Sequence, residues 1–264
     1  MKYCRFRLGR RVHHGLIETV DGRDMISVML GVPPHDTDPI GTIIPNFIPP
    51  ERVPVAEAEL LAPVHPHKII CVGRNYSEHA AELGNEVPTE PLLFLKPPSS
   101  VVGPGDNIVL PRVSERVDYE GELGIVIKKT CRNLRDGQDV TPFIFGYTCV
   151  NDVTARDLQK KDVQFTRAKS FDTFCALGPC IEDDLDVSSL KLQTRVNGEV
   201  KQDGNTSQMV FPCDFLFEFI TSIMTLLPGD VILTGTPAGV GPLEAGDTVE
   251  VEIEGIGTLR NVVA

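Results

Sequence analysis

Residues 118–127 read D-Y-E-G-E-L-G-I-V-I, in which two glutamates lead directly into an apolar, β-branched run. The run 123–127 predicts a buried β-strand. Side chains two residues apart on a strand point to the same face, so we expect Glu120 and Glu122 to project together. Two close carboxylates repel each other and are costly to bury unless a cation neutralises them. Their oxygens favour a hard divalent cation such as Mg²⁺, Mn²⁺ or Ca²⁺, and a solvated strand edge is the alternative for an isolated E-x-E pair.

A third acidic residue stands near the end of another predicted strand. The sequence C-V-N-D-V-T-A-R-D, residues 149–157, follows an apolar run, and Asp152 sits where a strand would lead into a helix. An aspartate at such a position most often caps the helix N-terminus. It could instead supply a third carboxylate oxygen to a cation that Glu120 and Glu122 bind. Spacing alone leaves both interpretations open.

A histidine and a glutamate share one face of a short predicted helix. Residues 69–73 predict a strand, and the helix over residues 77–83 follows it and ends at Gly84. His79 and Glu82 are three residues apart, so their side chains can touch. Five of the six histidines lie at or before position 67, which makes His79 the only histidine in the rest of the chain. The pair is a candidate general base with an orienting carboxylate.

A glycine-rich loop, G-T-P-A-G-V-G at residues 235–241, follows a predicted strand. It lacks the Lys-Ser/Thr pair of a phosphate-binding loop, and no G-x-G-x-x-G opens a helix, which disfavours a nucleotide site. The loop could be a tight turn that closes a sheet. Alternatively, its backbone amides and the Thr236 hydroxyl could bind a substrate carboxylate.

Five motifs occur in one order that resembles the fumarylacetoacetate hydrolase family, in its short form. They are G-R-N-Y-x-x-H-A-x-E, D-Y-E-G-E-L, N-D-V-T-A-R-D-x-Q, K-S-F-D-T-F and G-D-V-I-L-T-G-T-P-A-G-V-G. The short form includes acylpyruvate hydrolases, oxaloacetate decarboxylases and hydroxymuconate isomerases. The resemblance covers about residues 66–264. It implies a mixed, rolled β architecture, an Mg²⁺ or Mn²⁺ ion, a 2-oxo or diketo acid substrate and a homodimer.

The resemblance also implies a role for each residue that matches a motif. The implied metal ligands are Glu120, Glu122 and Asp152, and the implied catalytic residues are His79, Glu82 and Lys169. The implied substrate-binding residues are Arg74, Tyr76, Arg156, Gln159 and Thr236. Considered singly, Lys169, Arg156 and Gln159 would be taken as exposed surface positions, because long polar side chains usually are.

Composition bounds the class of protein. The chain has 264 residues, 41% of them hydrophobic, and a formal net charge of −12, which argues against nucleic acid or an anionic membrane surface as partner. Seven cysteines without C-x-x-C spacing argue against a disulfide framework or zinc ribbon. No long apolar run follows the N-terminus or occurs elsewhere, so we expect no signal peptide, no membrane span and a cytoplasmic location.

The pattern predicts a mainly β chain with few helices, in the α+β class, built as a mixed β-roll preceded by a small β domain. We expect a small antiparallel N-terminal unit over residues 1–65 and a catalytic domain over residues 66–264. The predicted later strands are 69–73, 92–95, 107–110, 123–127, 144–150, 192–196, 230–234 and 248–253. The predicted helices are 57–61, 77–83, 154–161 and 214–224.

The leading functional hypothesis is an Mg²⁺-dependent hydrolase that cleaves a C–C bond of an acylpyruvate-type diketo acid. The metal would polarise the 2-oxo group and stabilise an enolate, and His79 would activate the attacking water. Oxaloacetate decarboxylation, or hydroxymuconate isomerisation in aromatic catabolism, would pass through the same kind of intermediate. A catalytically silent metal-binding or small-molecule-binding module is the alternative from a different class.

Overall fold

The computed structural model describes residues 1–29, 51–135 and 137–264, and it confirms a mainly β fold. The described strands are β1 (Lys2–Leu8), β2 (Arg11–Val20), β3 (Arg23–Met29), β4 (Arg52–Pro54), β5 (Glu59–Leu61), β6 (Ile69–Gly73), β7 (Leu92–Lys96), β8 (Val101–Val102), β9 (Asn107–Ile108), β10 (Val117–Tyr119), β11 (Gly121–Ile127), β12 (Ile144–Asp152), β13 (Thr154–Ala155), β14 (Cys175–Glu182), β15 (Lys191–Val196), β16 (Glu199–Asn205), β17 (Val231–Leu233), β18 (Gly241–Pro242), β19 (Thr248–Ile253) and β20 (Gly257–Val263).

Helices are short and few among the described residues. They are α1 (Ser77–Glu82), α2 (Arg156–Lys161), α3 (Thr166–Lys169) and α4 (Cys213–Ile223). None of these described helices has the length and apolar character needed to cross a lipid bilayer. The cytoplasmic location stays a prediction.

The described strands form three sheets with mixed directions. The largest has the order β4-β3-β2-β1-β14-β12-β11-β17-β6-β7, with β5 beside β1 and β8 beside β14. A small sheet has the order β13-β10-β18, and a third has the order β16-β15-β19-β20-β9. The pairs β17–β6, β14–β8 and β20–β9 are parallel, whereas β11 pairs antiparallel with both its neighbours.

The N-terminal strands continue the large sheet. Strand β1 pairs antiparallel with β14, with Tyr3 opposite Ile181. The division into residues 1–65 and 66–264 therefore crosses one continuous sheet, and it stays a prediction as a domain boundary.

The helix predicted over residues 57–61 is wrong. A single 3₁₀ turn spans Val55–Glu57, and Glu59–Leu61 forms strand β5, which pairs with β1. The sequence A-E-A-E-L-L has good helix formers, but pairing with β1 places Leu61 in a buried position. Tertiary pairing overrides local propensity here.

Strand β11 is buried along its whole length, and its side chains alternate between the two faces of the sheet. Leu123 and Ile125 pack in one core cluster with Leu216 of α4, while Val126 packs in a second cluster on the other face. Each residue on both faces is excluded from water, so the strand is held rigidly in the sheet. Its first residue, Gly121, lies between Glu120 and Glu122, which both line a cavity.

Candidate active site and metal centre

Strand pairing brings the three predicted metal ligands together. In the antiparallel ladder of β11 and β12, Gly121 lies opposite Asn151. One residue beyond this pair, the Asp152 N–H donates a hydrogen bond to the Glu120 carbonyl at 2.8 Å. Glu122 follows on β11. Ligand oxygens of Glu120, Glu122 and Asp152 all lie within 4.8 Å of one another, and all three residues are buried. The cluster could hold a divalent cation.

Buried cationic groups surround two of these carboxylates. The Lys169 Nζ lies 2.7 Å from Glu120 Oε2 and 2.7 Å from Asp152 Oδ2. Lys96 Nζ lies 2.5 Å from the other oxygen of Asp152, and Arg156 pairs with Glu120 Oε1. Burial by itself would raise the pKa of Glu120, but the charges of Lys169 and Arg156 outweigh it and hold that pKa well below its usual range.

Lys169 and Arg156 keep their protons. Burial alone would lower the pKa of Lys169, but the carboxylates of Asp152 and Glu120 outweigh it and raise that pKa above its ordinary value. The pKa of Arg156 is raised for a similar reason, because Glu120 and Asp118 outweigh the effect of burial. Both groups therefore present fixed positive charge beside the cavity.

Glu122 differs from the other two carboxylates because no cationic side chain of the described residues lies within ion-pair distance of it. Its Oε2 accepts a hydrogen bond from the Gly235 N–H at 2.7 Å. Burial, followed by the charges of Asp152 and Glu120, raises the pKa of Glu122 well above its ordinary value. Glu122 is thus the one carboxylate of the three that lacks a direct cationic partner among the described residues. This all-oxygen donor set fits a hard divalent cation such as Mg²⁺ or Mn²⁺.

The side chains of His79 and Glu82 lie next to each other as predicted, although the hydrogen bond between them is long. His79 on α1 is 5% exposed, and its Nδ1 lies 3.4 Å from Glu82 Oε2. Burial lowers the pKa of His79 below its ordinary value of 6.5, and this outweighs the opposing charges of Glu120 and Glu82. The imidazole is therefore neutral at pH 7 and can accept a proton.

A cavity of about 460 Å³ connects these groups, a volume in the range of small-molecule sites. The sequence-predicted residues that line it are Arg74, His79, Glu82, Glu120, Glu122, Asp152, Arg156, Gln159, Lys169 and Thr236. Its apolar wall includes Phe94 and Phe165, whose rings meet edge to face at 5.5 Å between centroids. Lys169 Nζ lies 5.1 Å from the centroid of Phe94, a cation–π contact that fixes the ammonium group.

The predicted substrate-binding residues occupy different environments. Arg74 lines the cavity with a backbone φ of 58°, a left-handed conformation that costs energy in a residue with a side chain. Gln159 accepts a hydrogen bond from the Arg156 guanidinium at 2.6 Å. The Thr236 hydroxyl donates to the Gly121 carbonyl at 2.8 Å, so its proton is engaged within the protein. A substrate carboxylate would need that hydroxyl to rotate.

Tyr76 lies apart from the other predicted residues. It is 1% exposed, and it borders a separate cavity of about 210 Å³ that Pro237 and Ala238 also line. Its hydroxyl has no hydrogen-bond partner among the described residues. A role of Tyr76 in substrate binding stays a prediction.

Four polar residues at the site escaped the sequence analysis. Lys96 and Asp118 are buried in the charge cluster, Arg116 lines the cavity and pairs with Asp118, and Gln202 is fully buried beneath the loop 235–241. Lys96 directly follows the predicted strand 92–95, and Asp118 begins the motif that carries the predicted metal ligands. These positions beside predicted elements of the site are the only sequence signals for Lys96 and Asp118. Gln202 lies in a polar stretch and gives no sequence signal.

Two family models match the chain. The model described as fumarylacetoacetate (FAA) hydrolase C-terminal matches residues 68–264, and the model described as Rv2993c-like, N-terminal matches residues 1–63. Among curated relatives, an uncharacterised protein of Methanocaldococcus jannaschii is 58% identical over 200 residues, which cover 76% of this chain and 84% of that protein. The mitochondrial oxaloacetate tautomerase FAHD2A of Homo sapiens is 45% identical over 224 residues, which cover 80% of this chain and 71% of that one.

Solved structures match over the full length. A structure described as 5-carboxymethyl-2-hydroxymuconate delta-isomerase from Mycobacterium smegmatis is 43% identical with a TM-score of 0.88, and the match covers 100% of this chain and 99% of that one. A fumarylacetoacetate hydrolase from Exiguobacterium antarcticum is 38% identical with a TM-score of 0.85 and the same coverage. These likenesses extend over both parts of the chain.

Proposed function

The chain belongs to the fumarylacetoacetate hydrolase family of enzymes, and on that premise we propose that it interconverts the keto and enol forms of a small 2-oxo acid. The observation that carries the proposal is the shared cavity. A neutral buried imidazole and a cluster of three carboxylates that could hold a metal ion line the same space. Moving a proton next to a carbonyl needs one base and stabilisation of negative charge on oxygen, and this cavity offers both.

We propose that Glu120, Glu122 and Asp152 bind Mg²⁺ or Mn²⁺. Such an ion would act as a Lewis acid on the 2-oxo group of a bound substrate. The chain's own residues supply the rest of the chemistry. The neutral His79 accepts the proton from the carbon next to the carbonyl and returns it to the carbonyl oxygen, which completes the interconversion without an added reactant. Lys169 keeps its charge and stabilises the negative charge that develops on oxygen.

Cationic side chains at the cavity favour a carboxylate substrate. Arg74, Arg116 and Lys160 line it, and Lys160 is exposed at its rim. A chain of net charge −12 attracts an anion only where local cations set the field, and the cavity has that property. The relatives named for oxaloacetate and for 5-carboxymethyl-2-hydroxymuconate support a substrate with two or three carboxylates.

Hydrolysis of an acylpyruvate, the leading hypothesis from the sequence, is the second candidate. The pairing of His79 with Glu82 favours it, because an imidazole oriented by a carboxylate is a typical activator of water. Keto–enol interconversion ranks first because it requires only a base and stabilisation of negative charge on oxygen, whereas hydrolysis also requires a water held near a second carbonyl. The two relatives whose names state an isomerase or tautomerase reaction add support to this order.

A substrate panel separates these reactions. The purified enzyme, with added Mg²⁺ or Mn²⁺, is assayed with oxaloacetate, a hydroxymuconate, acetylpyruvate and fumarylpyruvate. We expect metal-dependent loss of the enol absorbance of oxaloacetate without release of CO₂. Cleavage of acetylpyruvate or fumarylpyruvate at a higher kcat/KM would favour the hydrolase, and CO₂ release would favour a decarboxylase. No metal-dependent turnover of any of the four would reject the proposal.

The pH dependence follows from His79. Because burial lowers its pKa below 6.5, we expect kcat/KM to rise with pH along an acid limb whose midpoint lies below 6.5, and then to level off. The sign follows from the role, because only the neutral imidazole accepts a proton. Assays between about pH 5 and pH 8 measure the limb. A midpoint at or above 6.5 would contradict a buried neutral base.

We also propose that the chain is a homodimer. Phe217 of α4 is buried, whereas Phe215 is 42% exposed and stacks between Phe211 and Phe219. Phe211 is buried and Phe219 is half-buried, so Phe215 is the exposed member of this row, and an exposed ring stacked on other rings is a surface that an assembly would cover. Light scattering at micromolar concentration is expected to give twice the chain mass of 28.9 kDa. A single species of 28.9 kDa would contradict the dimer.

A further inference from the structure

The glycine-rich loop 235–241 contacts both the carboxylate cluster and the pair of His79 and Glu82. At one end, the Gly235 N–H donates to Oε2 of the metal-cluster residue Glu122 at 2.7 Å. Near the other end, the Gly239 N–H lies 3.1 Å and 3.2 Å from the two carboxylate oxygens of Glu82. These distances are shorter than the 3.4 Å between Glu82 and His79. The position of Glu82 beside the imidazole therefore depends on where the loop holds Gly239.

Tyr119 holds that end of the loop. Its hydroxyl donates to the Gly239 carbonyl at 2.9 Å, and the residue is 3% exposed. The backbone at Gly239 is closely packed, because its φ is +98° and an added Cβ would lie 2.1 Å from the Lys201 carbonyl oxygen. Both polar groups of Gly239 are thus engaged, the N–H by Glu82 and the carbonyl by Tyr119. Tyr119 fixes the residue that orients Glu82.

Gln202 holds the other end of the loop and connects it to the metal cluster. Its Nε2 donates to Thr236 Oγ1 at 2.7 Å and to the Pro237 carbonyl at 2.8 Å. Its Oε1 accepts from the N–H of Gly121 at 3.0 Å, and the Thr236 hydroxyl donates to the Gly121 carbonyl. One fully buried side chain from β16 therefore joins the loop to the peptide between two metal ligands.

The backbone at Gly121 is so closely packed that no side chain fits there. A Cβ at that position would lie 2.1 Å from Thr194 Oγ1 and 3.2 Å from Gln202 Oε1. Residue 121 separates Glu120 from Glu122, so its placement sets the direction of both carboxylates. The third sheet, through β15 and β16, thereby packs directly against the backbone of the metal cluster.

We propose that Tyr119 and Gln202 are positioning residues with separate tasks. Gln202 holds the backbone that presents the metal carboxylates, and Tyr119 holds the loop residue that orients Glu82 toward His79. Neither group needs to touch substrate. The catalytic part of this inference rests on the proposed function, whereas the metal-binding and structural parts do not.

Replacing Gln202 with methionine keeps the volume and removes all three hydrogen bonds. We expect Mn²⁺ affinity, measured by calorimetry with the metal alone, to fall by roughly 10-fold, within the range typical of residues that support metal ligands. The half-buried Gln193 on β15 gives the matched control Gln193→Met, which should leave Mn²⁺ affinity within about twofold of wild type. If Gln202→Met does not fold, Thr236→Val removes the hydroxyl between Gln202 and Gly121 and is expected to weaken Mn²⁺ binding in the same direction.

Replacing Tyr119 with phenylalanine removes one hydroxyl. We expect kcat for oxaloacetate to fall about tenfold with KM nearly unchanged, because misplacing a base affects the chemical step more than binding. Mn²⁺ affinity should stay within about twofold of wild type. The ring-proton resonances of His79, assigned with His79→Ala, should shift in Tyr119→Phe and stay in place in Gln202→Met. Tyr147→Phe is the control, since Tyr147 is half-buried and its hydroxyl forms no hydrogen bond with the described residues.

Gln202→Met is therefore expected to change Mn²⁺ affinity, and Tyr119→Phe to change kcat and the His79 resonances. Equal losses of Mn²⁺ affinity in both, or a His79 resonance that shifts equally in both, would overturn the separate tasks. Unchanged Mn²⁺ affinity in folded Gln202→Met would overturn the role of Gln202. Should wild-type protein fail to turn over oxaloacetate, the Mn²⁺ and resonance measurements still decide this inference, and only the proposed function falls.

Discussion

Glu122→Gln is expected to reduce Mg²⁺ or Mn²⁺ affinity by roughly 100-fold or more, since even residues that only support a ligand typically contribute 10- to 100-fold. Turnover of oxaloacetate should fall with it. The metal-free protein, however, should unfold at the same temperature as wild type or at a higher one. Glu122 has no cationic partner among the described residues, and its pKa is raised, so its ionised form destabilises the metal-free fold. Glutamine keeps an acceptor for the Gly235 N–H.

Asp152→Asn provides the contrast. Asp152 pairs with both Lys96 and Lys169, so losing its charge leaves two buried lysines short of a partner. We expect this variant to lose metal affinity as Glu122→Gln does, and also to lower the unfolding temperature of the metal-free protein. The sequence alone predicts repulsion between the close carboxylates Glu120 and Glu122, whereas the structure shows that Asp152 is paired with two buried lysines.

Calorimetric titration with Mg²⁺ and Mn²⁺, and thermal unfolding after treatment with a chelator, measure the two quantities. Asp230→Asn is a matched control, because Asp230 is also a fully buried aspartate but is paired with Lys68 away from the carboxylate cluster. It should lower stability without changing metal affinity. Unchanged metal affinity in both Glu122→Gln and Asp152→Asn would mean that the cation binds elsewhere.

The sequence predicts the carboxylate cluster better than its surroundings. The E-x-E pair before an apolar run identifies Glu120 and Glu122 because strand alternation is a local property. Asp152 is different, since its position opposite Glu120 is set by the register of β11 and β12. Register between strands depends on tertiary packing, which leaves both capping and metal binding open for Asp152 until the pairing is seen.

The family resemblance implies Lys169 and Arg156 as site residues, but the counter-charge of Lys96 could not be predicted, and the reason is physical. A buried lysine such as Lys96 is rare, and a single sequence shows no difference between it and an exposed lysine at a strand end. Gln202 reaches the site from a separate sheet, in a polar strand with no local motif. Helix propensity was also misleading at residues 57–61, where pairing with β1 determines the structure. In each case the decisive contact joins segments that are distant in sequence.

His79→Ala is expected to lower kcat for keto–enol interconversion of oxaloacetate by about 10²- to 10⁴-fold, the usual contribution of a general base. Metal affinity should be unchanged, because His79 is not part of the carboxylate cluster. The acid limb of the pH profile should disappear along with the activity. His67→Ala is the matched control, since His67 is exposed and does not line the cavity.

The same variant distinguishes the candidate reactions. Hydrolysis of an acylpyruvate needs a base to activate water, so it should be nearly abolished in His79→Ala. Decarboxylation of oxaloacetate needs stabilisation of negative charge on oxygen rather than a base, so any such activity should decrease less. Equal losses in all reactions, with an acid limb that persists in the residual activity, would contradict proton transfer by His79. His79 would then only shape the cavity or hold α1 in place.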